Sequence, residues 1–268
     1  MMTVEEAAEA LIGLRPAAVE RLAGGDISGA SRLSFPDGTT CIVKSGPLID
    51  REARMLKAIR RSGAPAPEVV AIGDDWLFLQ DVGPSLPFDE AAWRGIPDAL
   101  APLSQTSSDQ EYGWTEDYAF RHVDVPNAHR ASWVDFWRDN RLLCHIPDLE
   151  VALARRVTAL AEKLAEIIPD QPPVSLVHGD LWGGNIVWDG ATAWLIDPCA
   201  YYGDREVDVA AMTVFDSPPQ EVFDRLDLAS GWRERLPAYR LWMWLVHVRL
   251  FGPSYRSAAE RDLERLGF

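Results

Sequence analysis

Cysteine is scarce and scattered in this chain. Cys41, Cys144 and Cys199 are odd in number and far apart, without zinc-ligand spacing or the pairing of a disulfide framework. That usage fits a reducing, cytoplasmic setting. Basic runs are also lacking: 41 acidic residues face 26 Lys and Arg, a formal net charge of −15. This argues against nucleic acid as a partner. The acidic excess serves solubility, and it also suits a cationic substrate. Long apolar runs are missing as well. The most apolar stretch, 241–251, carries His247 and Arg249 and is too short to span a bilayer, so it reads as a buried helix and argues against a membrane partner. The first residues, MMTVEEAAEA, lack the basic-then-apolar pattern of a secretory signal. There is no internal repeat and no low-complexity tract, and nothing marks the oligomeric state.

What is present is an ordinary globular composition with an excess of tryptophan. The 268 residues suffice for one large domain or two lobes sharing a cleft. Eleven Trp point to a large buried aromatic surface or a pocket lined by rings.

The pattern along the chain changes near residue 82. Apolar positions Val4, Ala7, Ala8, Leu11, Leu14, Val19 and Leu22 keep helical spacing over 4–22, broken near Pro16. A glycine-rich stretch, Gly24-Gly25-Asp26-Ile27-Ser28-Gly29, precedes two strand-like runs turned by Pro36-Asp37-Gly38. Glu52, Met55, Leu56 and Ile59 share a helical face, and a second hairpin turns at Gly73-Asp74-Asp75. The first 80 residues thus predict an antiparallel sheet with one crossing helix, in which Lys44 ends the third strand. Beyond Val82-Gly83-Pro84, helical patterns occupy 89–104, 132–145, 148–167, 205–215, 219–229 and 236–251. Within them, 175–178 reads as a strand, and 186–189 with 193–196 as a hairpin across Asp189-Gly190. The segment 105–131 has little periodicity and reads as a long functional loop.

Three oxygen-bearing side chains stand at telling intervals. Asp180 and Asn185 are five residues apart on one loop, in His178-Gly-Asp-Leu-Trp-Gly-Gly-Asn185. Asp197 ends the hairpin that follows, and a hairpin returns the chain close to where it left. Asn185 and Asp197 are oxygen donors suited to Mg²⁺, which leaves Asp180 to accept a hydroxyl proton. The same order, with His two residues before the Asp, occurs in protein kinases. His178 is expected to orient the loop through hydrogen bonds. Either fragment alone would be plain turn chemistry. Both in order, with a hairpin between, point to a phosphotransferase. Lys44 is placed to reach nucleotide phosphates, with Glu52 eight residues on to position it. The loop containing Gly25 and Ser28 can offer backbone N–H groups and a hydroxyl to phosphate. It is neither a Walker A loop nor a dinucleotide fingerprint. No A-P-E activation segment follows Asp197, so a protein kinase proper is disfavoured.

The HGDLWGGN stretch, followed by LIDPCAYYGDREVD, resembles the fructosamine kinase (ketosamine 3-kinase) family, within the aminoglycoside phosphotransferase group. Trp182 and the Tyr201-Tyr202-Gly203, Arg205-Glu206 and Asp208 positions carry the likeness, as do Tyr112-Gly113-Trp114, Asn127, Trp133, Phe136 and Leu250-Phe251-Gly252 with Tyr255. The resemblance implies an α+β, protein-kinase-like two-lobed fold, with a nucleotide-binding N-lobe over 1–82 and a catalytic, substrate-binding C-lobe over 83–268. It implies ATP and Mg²⁺ as cofactors and a sugar-amine hydroxyl as acceptor. Asp180 would be the base, and Asn185 with Asp197 the metal ligands. Lys44 and Glu52 would hold the phosphates, Gln80 to Val82 would meet adenine, and Trp182 and Trp114 would line the sugar pocket. The chain departs from the family pattern at Gly183, often Ser; at Ser104, often His; and at 117–121, which lacks an expected Gly. The last two lie near the substrate side. Another amino-alcohol, nucleoside or aminoglycoside-like acceptor therefore stays open, as does a non-catalytic ATP-binding protein of the same fold.

Overall fold

The computed structural model describes residues 2–22, 29–105 and 111–268. Helix α1 (Val4–Ile12) opens with a capping box in which Thr3 and Glu6 bond each other's backbone, and it stops at Gly13, whose φ of 84° is left-handed. The helical spacing read over 4–22 therefore ends early. Its second half is strand β1 (Ala18–Arg21), paired antiparallel with β2 (Ala30–Ser34). All four β1 residues are exposed on this sheet edge, so no alternation marks the strand in the sequence.

Strand β3 (Thr40–Ser45) follows across a turn in which the Asp37 carboxylate accepts from the Thr39 backbone at 3.0 Å and hydroxyl at 2.6 Å. Then come helix α2 (Ile49–Ser62) and strands β4 (Val69–Ile72) and β5 (Trp76–Gln80). The five strands form one antiparallel sheet in the order β1-β2-β3-β5-β4. Strand alternation divides the two faces. Leu33, Phe35, Cys41, Val43 and Phe78 form one core with Ala7 and Ala8 of α1. Leu77 and Leu79 face the other way, onto Ile49, Ala53, Leu56 and Ile59 of α2, in a core continuous with the rest of the molecule.

After β5 the chain is mainly helical. Asp89 caps α3 (Glu90–Leu100) by accepting from Ala91 and Ala92. The segment read as a loop over 105–131 contains a short hairpin, β6 (Tyr118–Phe120) and β7 (Val123–Val125). Helix α4 (Trp133–Trp137) continues into a π turn and a 3₁₀ turn, and α5 (Val151–Glu162) follows. Next stand β8 (Val174–Val177), the hairpin β9 (Ile186–Trp188) with β10 (Ala193–Leu195), and β11 (Tyr201–Asp204), which pairs antiparallel with β8. Helices α6 (Glu206–Ala211), α7 (Gln220–Asp224), α8 (Trp232–Phe251) and α9 (Arg256–Arg265) complete the fold. The apolar run at 241–251 lies in α8, with Leu241, Trp242, Leu245 and Val246 buried. No described helix is long and apolar enough to cross a membrane.

The tryptophans serve largely as core. Trp133 and Trp137 are fully buried; the Trp133 indole N–H donates to the Tyr239 hydroxyl at 3.0 Å, and that hydroxyl donates to Asp204 at 2.7 Å. Burying these rings satisfies their polar edges.

Candidate active site

The loop between β8 and β9 is fixed by its neighbours before any ligand arrives. His178 donates from Nε2 to the Ile196 carbonyl at 2.9 Å, and its Nδ1 faces the Asp180 N–H at 3.4 Å. These partners require the neutral ring, and burial agrees, lowering the imidazole to about 4. Gly179 takes φ of 80°, and a Cβ there would stand 2.0 Å from the Cys199 carbonyl oxygen. Only glycine fits. Asp208 of α6 accepts the His178 N–H at 2.7 Å and the Gly179 N–H at 2.8 Å, one on each carboxylate oxygen. Asp208 is buried, and burial pushes it up to about 7 against those two bonds.

Asp180 sits at the end of this scaffold. Its backbone carbonyl and carboxylate both accept from the Asn185 amide nitrogen, at 2.7 and 2.9 Å. The Asn185 oxygen is thereby turned away from Asp180. The Asp180 side chain keeps some access to solvent, yet protein surrounds most of it. Burial therefore raises its carboxyl to about 7, opposed by the Asn185 bond and reinforced by Asp197 and Asp208.

The hairpin β9–β10 delivers Asp197. Its turn is tied by Asp189, which accepts from the backbone of Ala191 and Thr192, and Ile196 N–H donates to the Asn185 carbonyl at 3.0 Å. Asp197 itself has φ of 54°, a costly conformation for a residue with a Cβ. Its carboxylate accepts from Lys44. Lys44 is buried on β3 and also donates to Glu52 of α2 at 2.6 Å. Burial alone would lower the Lys44 ammonium, but the charges of Glu52 and Asp197 outweigh it and hold the group ionised. One cation thus stands between these two carboxylates.

The structure thus brings Asp180, Asn185, Asp197, Lys44 and Glu52 into one connected cluster. Among the described residues no group of three or more His, Cys, Asp or Glu side chains forms a closed metal cage. A Mg²⁺ ion needs only one or two protein ligands when phosphate and water supply the rest, and the Asn185 oxygen with the Asp197 carboxylate fits that chemistry. Gln80 and Val82 stand at the exit from β5. The Gln80 N–H donates to the Glu68 carbonyl at 2.8 Å. Gly25 and Ser28 lie outside the described residues.

The two tryptophans assigned to the acceptor belong to separate aromatic groups. The Trp182 ring folds over Gly184, where a Cβ would meet it at 2.2 Å, and packs edge-on against Phe215 at 5.5 Å. Phe215 continues to Trp244, His247 and Tyr255. Trp114 packs against Tyr202 at 5.7 Å, its indole nitrogen buried without a partner among the described residues. Sequence reasoning passed over three positions here. Asp208 was noted only as part of the family pattern, without its role as anchor of the loop. Asp216, which accepts the Gly183 N–H at 2.8 Å, carries no local signal. Tyr118 of β6 lies within the field of the cluster. Its phenol is raised by burial and, in smaller part, by Glu52, Cys199, Asp197 and Asp180.

Comparison with known proteins identifies the family. A sequence model described as fructosamine kinase matches residues 5–267. The chain belongs to the fructosamine kinase family. It is 30% identical to YniA of Escherichia coli K12, named a probable ketoamine kinase, over 98% of this chain and 96% of that one. A crystal structure assigned as a fructosamine-3-kinase from Thermobifida fusca YX-ER1 superposes with a TM-score of 0.88 at 30% identity, covering 98% of both chains. The amicoumacin kinase hAmiN, in complex with AMP-PNP, Ca²⁺ and Ami, superposes at 0.64 with 13% identity over 97% of this chain and 91% of that one, which speaks for the fold alone. The chain is a kinase of the α+β, protein-kinase-like fold, the class read from its sequence.

Proposed function

We propose that this kinase transfers the γ-phosphoryl group of ATP to the sugar 3-hydroxyl of a ketosamine, with Mg²⁺ as cofactor. The observation that carries the reading is the cluster itself. Lys44 is held between Glu52 and Asp197, and Asp197 is tied through the β9–β10 hairpin to Asn185, which bonds Asp180. In this reading residues 1–82 hold the nucleotide, and 83–268 supply the base and the acceptor pocket. Lys44 binds the α- and β-phosphates, while the backbone near Gly25, the Ser28 hydroxyl and the Gln80–Val82 exit contact the rest of ATP. Asn185 and Asp197 would hold Mg²⁺, which supplies neutralisation of phosphate charge when bound.

The chemistry left to the protein is positioning and one proton. The acceptor oxygen forms a bond to the γ-phosphorus as the bond to the β,γ-bridging oxygen breaks, and ADP leaves. The hydroxyl proton passes to the Asp180 carboxylate, whose described partner is the Asn185 amide rather than a cation. Trp182 and Trp114 offer flat apolar faces for the sugar, and the family supports a sugar-amine acceptor. The scattered cysteines and the absence of a spanning helix among the described residues fit work in the cytoplasm.

The test is a coupled ADP assay with Mg²⁺-ATP against fructosyl-amines, with the phosphate position read by NMR. Transfer to the 3-hydroxyl is the expected result. Transfer only to other amino alcohols or aminoglycoside-like acceptors, in the same panel, would overturn the ketosamine assignment.

A further inference from the structure

The segment carrying Glu116, Asp117 and Tyr118 is gripped from two sides. From α2, Arg54 donates to one Glu116 carboxylate oxygen through Nη2 at 2.6 Å and Nε at 3.1 Å, and Arg51 donates to the Asp117 carbonyl. From the opposite side comes Asn127, which is fully buried. Its backbone N–H donates to Asp117 Oδ1 at 2.7 Å, and its Nδ2 donates to the Glu116 carbonyl at 3.0 Å. Asn127 is itself fixed, because its Oδ1 accepts from Arg141 at 2.7 Å. The Arg141 guanidinium is locked against the Tyr201 and Phe136 rings at 4.2 and 4.7 Å.

The two arginines on α2 flank Glu52, the residue that positions Lys44. Whatever restrains Arg51 and Arg54 therefore restrains Glu52 through less than one helical turn. At the other end the segment runs directly into Tyr118, beside the catalytic carboxylates, and Trp114 lies two residues before Glu116. Trp114 N–H also donates to the Asn127 carbonyl at 2.9 Å. Acceptor wall, buried anchor and the Lys44–Glu52 pair are joined by short, directional contacts.

We propose that residues 116–118 form a strut that sets helix α2, and with it the Lys44–Glu52 pair, against the Asp180 loop. Arg51, Arg54 and Glu116 are then positioning residues for the nucleotide. By linkage, any effect of acceptor contact at the Trp114–Tyr118 segment on nucleotide affinity at Lys44 is returned in equal measure. The strut rests on the ATP reading above and adds a connection between its two sites. The Arg54 and Glu116 side chains are 44% and 33% exposed, so their ion pair contributes little to global stability. Its effect belongs in nucleotide affinity instead.

Charge reversal separates these roles. Mg²⁺-AMP-PNP binding to the full chain is measured by calorimetry for wild type, Arg54→Glu, Glu116→Arg and the double variant, with melting temperatures alongside. Arg54 also donates to Asp50 at 2.6 Å, and Arg51 stands 3.9 Å from Glu116. Each single variant is therefore expected to weaken nucleotide binding about three- to fivefold with little change in melting temperature, and the double variant to recover part of the loss. Single variants that bind as wild type, or a double variant as weak as the singles, would overturn the strut. The assay needs no acceptor. Failure to phosphorylate a ketosamine would thus sink the substrate assignment and leave the strut standing.

Discussion

The Asn185 amide nitrogen bonds the Asp180 carboxylate at 2.9 Å, and this contact divides the labour of the two residues. It turns the amide oxygen away from Asp180, and among the described residues no Lys or Arg bonds the Asp180 carboxylate. Replacing Asp180 by Asn keeps the size and removes the basic oxygen. Turnover is expected to fall about 10²- to 10⁴-fold, while Mg²⁺-AMP-PNP binding by calorimetry stays close to wild type. Turnover near wild type would remove Asp180 from the role of base.

The same residue sets a pH dependence. Burial raises its carboxyl to about 7, and only the ionised form accepts a proton. The kcat/KM for the acceptor is expected to climb with pH up to about 7 and then level off. Stability runs the other way. A carboxyl raised in the folded state takes up protons on folding, so its contribution is present in acid and is lost as pH rises through about 7. Asp180→Asn should therefore gain stability relative to wild type at pH 8 compared with pH 5. Parallel thermal melts at the two pH values check this, with a relative gain of at least about 2 °C expected.

Two glycines of the same loop make opposite predictions. A methyl at Gly179 would collide with backbone, the Cys199 carbonyl at 2.0 Å, in a left-handed conformation. Gly179→Ala is expected to displace Asp180 and to cost most of the activity. At Gly183 the added atom would meet the Asp216 carboxylate at 3.2 Å and Phe88 at 3.4 Å, both side chains. Gly183→Ser can be accommodated by small side-chain shifts, and its hydroxyl lies beside an acceptor. This variant should fold and turn over, with any change confined to the acceptor KM. Steady-state kinetics and melting curves on the pair distinguish the two sites.

The cluster was legible because its members sit at short, characteristic spacings. Asp180 to Asn185 spans one loop, Lys44 to Glu52 one strand-to-helix connection, and the turn at Asp189-Gly190 announces the hairpin that returns Asp197. The sheet was legible where one face is apolar, as in β3 and β5. Strand β1 was not, because all four residues are exposed and Val19 and Leu22 mimic helical spacing. Helix α9 was missed for a related reason: it buries only Ala259, Asp262 and Leu263. Its anchor is polar, Asp262 accepting from Arg240 at 2.7 and 3.0 Å and from the Trp244 indole at 2.9 Å. Strand β11 exists through its pairing with β8, a tertiary fact. The strut contacts of Glu116 are likewise invisible locally, since their partners on α2 lie more than sixty residues away.

Asp208 provides the last test, because its importance depends wholly on distant backbone. Its two carboxylate oxygens receive the N–H groups of His178 and Gly179, and among the described residues no ammonium or guanidinium is paired with it. Asp208→Asn replaces one acceptor oxygen by an NH₂ group, which must then face a buried N–H donor. At least one backbone donor is left unsatisfied. A stability loss of about 2–3 kcal/mol is expected, measured by urea unfolding. The loss should be local first. Amide exchange at 178–180 should accelerate, and kcat should fall more than the nucleotide Kd rises, because Lys44 and Glu52 are anchored elsewhere. Equal loss of kcat and nucleotide affinity would show that Asp208 supports the fold in general rather than the placement of Asp180.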